Sequence, residues 1–184
     1  MLFITGENQA VKTAKRNGVT DVLSINDRRS PFSFAPHPGI NVYCKVFEDY
    51  EDPKQWRAPT VKDCQDILSW CRTFTEDSTV LIHCAAGVSR STAAGLAYLW
   101  ATGADDPVGT MRIVRPTAAP NLWMSYCFDR LIGANGELYV CARELNKKSC
   151  FASFVVLERK ARAADTFPDE FNKQFAALSQ EIEE

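Results

Sequence analysis

The sequence predicts an α/β fold, with a central, mostly parallel sheet flanked by helices. Three observations carry this. Short apolar runs of strand length alternate along most of the chain with segments of helical spacing. The run Val80-Leu81-Ile82 is apolar throughout, as a central strand covered on both faces requires. It leads into a loop of small residues and then into a helical segment from Thr92 to Trp100. Strand, loop and helix N-terminus therefore meet at one place, the carboxyl end of a strand, where ligands sit in such folds.

In chain order, Leu2-Phe3-Ile4 reads as a short strand, and Asn8 to Asn17 as a helix stopped by Gly18. Asp21 to Ile25 alternates as a second strand. Arg28 to Gly39, with its prolines, is a loop. Ile40 to Phe47 has the period-two alternation of a half-buried strand. Thr60 to Phe74 places Val61, Cys64, Ile67, Leu68 and Cys71 on one helical face. Ser91–Ala101, Pro107–Val114 and Asn121–Ile132 are helical, with Asp106-Pro107 as cap and first position and Gly133 as terminator. These segments place one domain over residues 1–150. Residues 151–184 form a charged and amphipathic C-terminal extension expected to pack on its flank. Within it Phe151 to Leu157 is apolar, as strand or helix, and Glu158 to Arg162 is a solvated charged run. Pro168 to Glu183 is a terminal helix with Phe171, Phe175 and Leu178 on one face.

At 184 residues, with 46% hydrophobic content, the chain can bury one core. A net charge of −2 predicts no nucleic-acid or membrane partner. No apolar run reaches the roughly 20 residues of a bilayer span, and Met1 to Glu7 lacks the features of a signal peptide. Seven cysteines at irregular spacing favour reduced thiols in the cytoplasm over a disulfide or zinc framework. The cysteines other than Cys84 are read as small buried apolar residues. His37, in the proline-rich loop, is read as an exposed bystander.

The chemistry concentrates in His83-Cys84-Ala85-Ala86-Gly87-Val88-Ser89-Arg90-Ser91. A glycine-bearing loop that opens a helix points several backbone N–H groups at one spot, which makes an anion site. The same dipoles push a thiol placed there toward thiolate. Arg90 adds a planar fork that can hold two oxygens of a phosphoryl group at once. Gly87 is expected to supply a positive φ. Nucleophile, amide cradle and clamp together predict phosphoryl transfer through Cys84.

His83, Cys84, Gly87, Arg90 and Ser91 match every fixed position of His-Cys-x-x-Gly-x-x-Arg-Ser/Thr, so the chain resembles the cysteine-dependent protein phosphatases. More specifically, it resembles small bacterial tyrosine-phosphatase-like proteins of dual-specificity type. That resemblance runs from about Asp21 to Glu144 and takes in Val46-Phe47-Glu48-Asp49, Ala58-Pro59-Thr60 and Ala119-Pro120-Asn121. It implies the dual-specificity fold and a phosphocysteine intermediate on Cys84. Arg90 and the backbone of Ala85, Ala86, Gly87, Val88 and Ser89 would hold the phosphate. It further implies that Ser91 assists thiolate departure and that His83 orients the loop. Asn121 either braces the loop or caps a helix. The family's general acid is an aspartate on an upstream movable loop. Its position just after a strand selects Asp49, which strand-end geometry fixes better than counting through a loop; counting back from the cysteine by the usual separation gives Asp52 as the alternative.

The implied partner is a phosphorylated protein or peptide carrying phosphotyrosine, with phosphoserine or phosphothreonine in addition. Phosphoinositide phosphatases of this superfamily carry lysines where Ala85, Ala86 and Val88 stand, which disfavours an inositol head group. An RNA 5′-phosphate substrate and a non-catalytic phosphate-binding module are the alternatives. No cofactor and no metal are implied, and oligomeric state is left open.

Overall fold

The computed structural model describes residues 1–28, 34, 38–75, 77–148 and 164–183. Strands β1 (Leu2–Gly6), β2 (Asp21–Asn26), β3 (Asn41–Val46) and β4 (Val80–Cys84) form one sheet in the order β1-β4-β2-β3, and every neighbouring pair is parallel. The helices are α1 (Glu7–Asn17), α2 (Val61–Cys71), α3 (Arg90–Ala101), α4 (Pro107–Val114), α5 (Leu122–Ile132), α6 (Glu137–Lys148) and α7 (Phe167–Glu183). Parallel neighbours require crossover connections, so helices cover both faces of the sheet.

β4 lies between β1 and β2, and all five of its residues are buried. Leu81 packs with Val22 and with Ala10 and Ala14 of α1 on one face. Val80, Ile82 and Cys84 belong to the larger core on the other face, with Leu23, Ile25, Ile67, Leu96, Trp123 and Phe128. The register sets Gly6 opposite Cys84 and Ser24 opposite His83. Because all four strands run the same way, their carboxyl ends deliver Gly6, Asp27, Phe47 and Cys84 to one rim.

Local chemistry explains the helix ends. Thr60 caps α2 by accepting from the Asp63 N–H at 3.1 Å while Asp63 accepts from the Thr60 N–H at 3.0 Å, a reciprocal capping box. Asp106 accepts from the Gly109 N–H at 2.8 Å, and Pro107 takes the first helical position of α4. Gly18 and Gly133 close α1 and α5 in left-handed conformations. β3 is an edge strand, as is β1, and Lys45 in it bonds Asp63 at 3.1 Å and Asp66 at 2.7 Å. A charge on an edge discourages further strand pairing.

Several features depart from the sequence reading. α6 had no counterpart in it, although Leu138, Ala142 and Leu145 recur at helical spacing and are buried. Three apolar positions in a charged segment after two glycines make a weak pattern that packing against α5 completes. Cys64, Cys71 and Cys127 are buried as expected, and burial pushes the Cys71 thiol up to about 12. Cys44 is instead exposed on the edge strand β3 and Cys141 is half-buried, so neither is a core residue. Cys150, His37, the Phe151–Leu157 run and the Glu158–Arg162 run lie outside the described residues, as does most of the Arg28–Gly39 loop.

α7 is docked through aromatic contacts. Phe167 and Phe171 are buried, with Phe167 5.2 Å from Trp123 and Phe171 6.0 Å from Tyr126 between ring centroids. Its Gln174 side chain accepts from the Val61 N–H at 2.9 Å, satisfying a donor that the start of α2 leaves open.

Candidate active site

The loop from Ala85 to Ser89 is held by its carbonyls. Ala85 O accepts from the Glu7 N–H at 3.2 Å, and Ala86 O from Arg115 Nη2 at 2.9 Å. Val88 O accepts from the Ala119 N–H at 2.9 Å, and Ser89 O from the Ala93 N–H at 3.0 Å and Thr92 Oγ1 at 2.9 Å. In a trans peptide the following N–H points opposite to the carbonyl. The amides of Ala86, Gly87, Ser89 and Arg90 are therefore turned away from these partners, which is what an oxyanion cradle requires. Gly87 has φ +71° where the loop crosses the end of β1.

Cys84 is buried at the base of this loop, and its Sγ lies 3.2 Å from Ser91 Oγ in the first turn of α3. The Arg90 side chain folds back and is only 3% exposed. Its Nη1 donates to Phe47 O at 2.7 Å and pairs with Asp27 Oδ1. Nε is buried and meets no hydrogen-bond partner among the described residues. A buried guanidinium N–H left open beside a thiol is a donor waiting for an anion. Burial works against the charge of Arg90, but Asp49, Cys84 and Asp27 outweigh it and hold the group above its ordinary value.

Asp49 and Asp52 part company in the structure. Asp49 Oδ1 accepts from Ser89 Oγ at 2.7 Å and from Asn121 Nδ2 at 2.9 Å, which places this carboxylate against the loop. Both of these donors reach Oδ1 rather than Oδ2. Asp52 accepts from the Lys54 N–H at 3.0 Å and stabilises its own turn. Of the two roles its position suggested, cap and brace of the Cys84 loop, the Asn121 side chain performs the cap. Its Oδ1 caps α5 by accepting from the Met124 N–H at 3.0 Å, while Nδ2 also donates to Tyr50 O at 3.1 Å. What it braces through its side chain is the loop carrying Asp49.

Two site residues escaped the sequence reading. Asp27 buttresses Arg90, and Arg115 pins the Ala86 carbonyl. Asp27 had a usable signal, since it directly follows a strand and so falls on the rim where parallel strands end. Arg115 had none.

His83 is fully buried beneath the loop, 6.0 Å from the Phe34 ring. Burial pushes its imidazole down to about 4 from 6.5, against a backbone hydrogen bond that acts the other way. The folded protein therefore keeps His83 neutral where the unfolded chain binds a proton. Its contribution to stability is complete above about pH 6.5 and is lost as pH falls toward 4, roughly 3 kcal/mol in all. Urea midpoints measured from pH 7.5 to 4.5 should fall, and His83→Gln should flatten that slope; an unchanged slope in the variant would refute the attribution.

No family model matches the chain. It is similar to the dual specificity protein phosphatase 22 of Mus musculus, 34% identical over 110 residues, covering 58% of this chain and 55% of that protein. The Xenopus tropicalis protein of the same name is 32% identical over 126 residues, 66% of this chain and 56% of that one. The chain thus spans about half the length of the curated relatives it matches. Among solved structures, human DUSP28 superposes with a TM-score of 0.55 at 21% identity, covering 73% of this chain and 89% of that one. DUSP15 gives 0.53 at 23%, covering 83% and 94%. The human tyrosine phosphatase-like serine/threonine/tyrosine-interacting protein gives 0.57 at 16%, covering 73% and 92%. At such identities the likeness shows the fold.

Proposed function

We propose that the chain is a cysteine-dependent phosphatase, a phosphoprotein phosphatase acting on phosphotyrosine monoesters with phosphoserine and phosphothreonine as further substrates; its similarity to dual specificity protein phosphatase 22 and the dual-specificity fold support this reading. One observation carries this reading. Around Cys84 the loop carbonyls are bonded outward, and the buried Nε of Arg90 is left open.

The chemistry follows from that arrangement. Cys84 thiolate attacks phosphorus; an S–P bond forms as the ester P–O bond breaks. Asp49 gives its proton to the departing oxygen. Arg90 and the loop amides hold the equatorial oxygens, where charge accumulates. Water then attacks the phosphocysteine, Asp49 takes up its proton, and the S–P bond breaks. Ser91 Oγ, 3.2 Å from the sulfur, donates to the departing thiolate. The described cysteines are free thiols, which supports a reducing compartment such as the cytoplasm.

The test is hydrolysis of p-nitrophenyl phosphate, with acid quenching to trap a phosphocysteine. Release of nitrophenol and phosphate with label on Cys84 is expected. No release from any aryl ester would make the protein a phosphate-binding module instead. The acid is tested separately. Asp49→Asn should lower kcat on a slow-leaving aryl phosphate by about 100-fold and remove the basic limb of the pH profile, because an amide has no proton to lose. Asp52→Asn should stay within about twofold of wild type. The reverse pattern would transfer the role to Asp52.

A further inference from the structure

The far end of the acid loop plays no part in this chemistry. The loop closes on itself through the Glu48 N–H, which donates to Arg57 O at 2.9 Å, so Arg57 lies beside the residue preceding Asp49. Three of its acids are engaged by donors. Asp49 meets Ser89 and Asn121, Glu51 accepts from the Leu122 N–H at 3.1 Å, and Asp52 accepts from Lys54. Arg57 differs. Its guanidinium carbon sits 3.6 Å from the centroid of the Trp56 ring, and no carboxylate pairs with it among the described residues.

Two costs fall on these neighbours. Trp56 is 76% exposed, although an indole is among the side chains that gain most from burial. Arg57 has φ 71°, a left-handed conformation uncommon outside glycine. Tyr50, on the same loop, is 43% exposed. An exposed aromatic and a strained cation at one turn of the acid-bearing loop point to recognition.

Building on the phosphatase reading, we infer that Trp56 and Arg57 form a specificity platform for the peptide beside the phosphorylated residue. Arg57 pairs with an acidic side chain of that peptide, and the open face of Trp56 covers the adjoining chain. Charge selects the occupant. A guanidinium over a ring face still has N–H groups to offer a planar carboxylate. Three of the four acids of the loop, Asp49, Glu51 and Asp52, are already bonded to their own donors.

The experiment compares p-nitrophenyl phosphate with two phosphotyrosyl peptides that differ only in carrying glutamates or alanines beside the phosphotyrosine. Arg57→Gly removes the cation while suiting the backbone, and Trp56→Ala removes the ring. For each variant, kcat/KM on the acidic peptide should fall about three- to tenfold. On p-nitrophenyl phosphate it should stay within about twofold. The wild-type preference for the acidic peptide should shrink as salt rises. Equal losses on all three substrates would reduce the pair to loop stability and overturn the inference. Equal losses on the two peptides alone would remove the acidic pairing. A wild type that hydrolyses p-nitrophenyl phosphate but ranks the peptides alike refutes the platform alone, whereas hydrolysis of none refutes the phosphatase reading beneath it.

Discussion

Replacing Cys84 by serine is expected to lower kcat on an aryl phosphate by about 10⁴-fold or more, because both steps of the proposed reaction pass through the sulfur. A serine hydroxyl at the same place is protonated at neutral pH, and no imidazole among the described residues is positioned to deprotonate it. His83 is held neutral, but it lies fully buried beneath the loop. The variant should still bind. Arg90 keeps its contacts to Phe47 and Asp27, and the loop carbonyls keep theirs. Calorimetric titration with a phosphotyrosyl peptide should therefore give an affinity near that of wild type while turnover vanishes. Residual turnover above about a hundredth of wild type would remove Cys84 from the nucleophile's role. Loss of binding would show instead that the sulfur holds the loop together.

Gly87→Ala is expected to disable the site and destabilise the fold at once. Two independent effects add. Its φ of +71° is left-handed, which costs a residue with a Cβ about 1–2 kcal/mol. A Cβ there would also lie 2.3 Å from Thr5 C and 2.5 Å from both Gly6 N and Thr5 O, all backbone atoms of β1. A side chain could rotate away; a central sheet cannot. Overpacking of this kind adds about 1–3 kcal/mol, so the sum is about 2–5 kcal/mol. Gly18→Ala is the internal control. It shares a positive φ of +60° but has open space around its Cβ, so only the conformational cost applies. Denaturant titration of both variants should separate the two costs, and equal losses would show that the loop shifts off β1 without penalty.

What could be read from the sequence divides along the range of the interactions. Cys84, Gly87, Arg90 and Ser91 lie within one turn of chain, so their chemistry is local and their spacing carries it. The strand leading in and the helix leading out are equally local, which is why the α/β order, the parallel sheet and the helix ends at Gly18, Asp106 and Gly133 were legible. Asp49 and Asp52 could not be separated by spacing, because the segment between them and Cys84 is of no standard length. Contact with Ser89 and Asn121 distinguishes them, and that contact exists only after folding. Asp27 and Arg115 reach the loop from other elements. α6 shows the same limit, since burial against α5 supplies what its own periodicity lacks.

The last helix reaches further than its position suggests. Gln174 holds the Val61 amide at the head of α2, and Trp123, against which Phe167 packs, donates through Nε1 to Pro59 O at 2.6 Å. Both anchors fall where the segment carrying Asp49 rejoins the body of the protein. α7 thus braces the point where the loop of the proposed acid is anchored, and loss of Gln174 or Phe167 should blunt proton delivery by Asp49 while sparing Cys84.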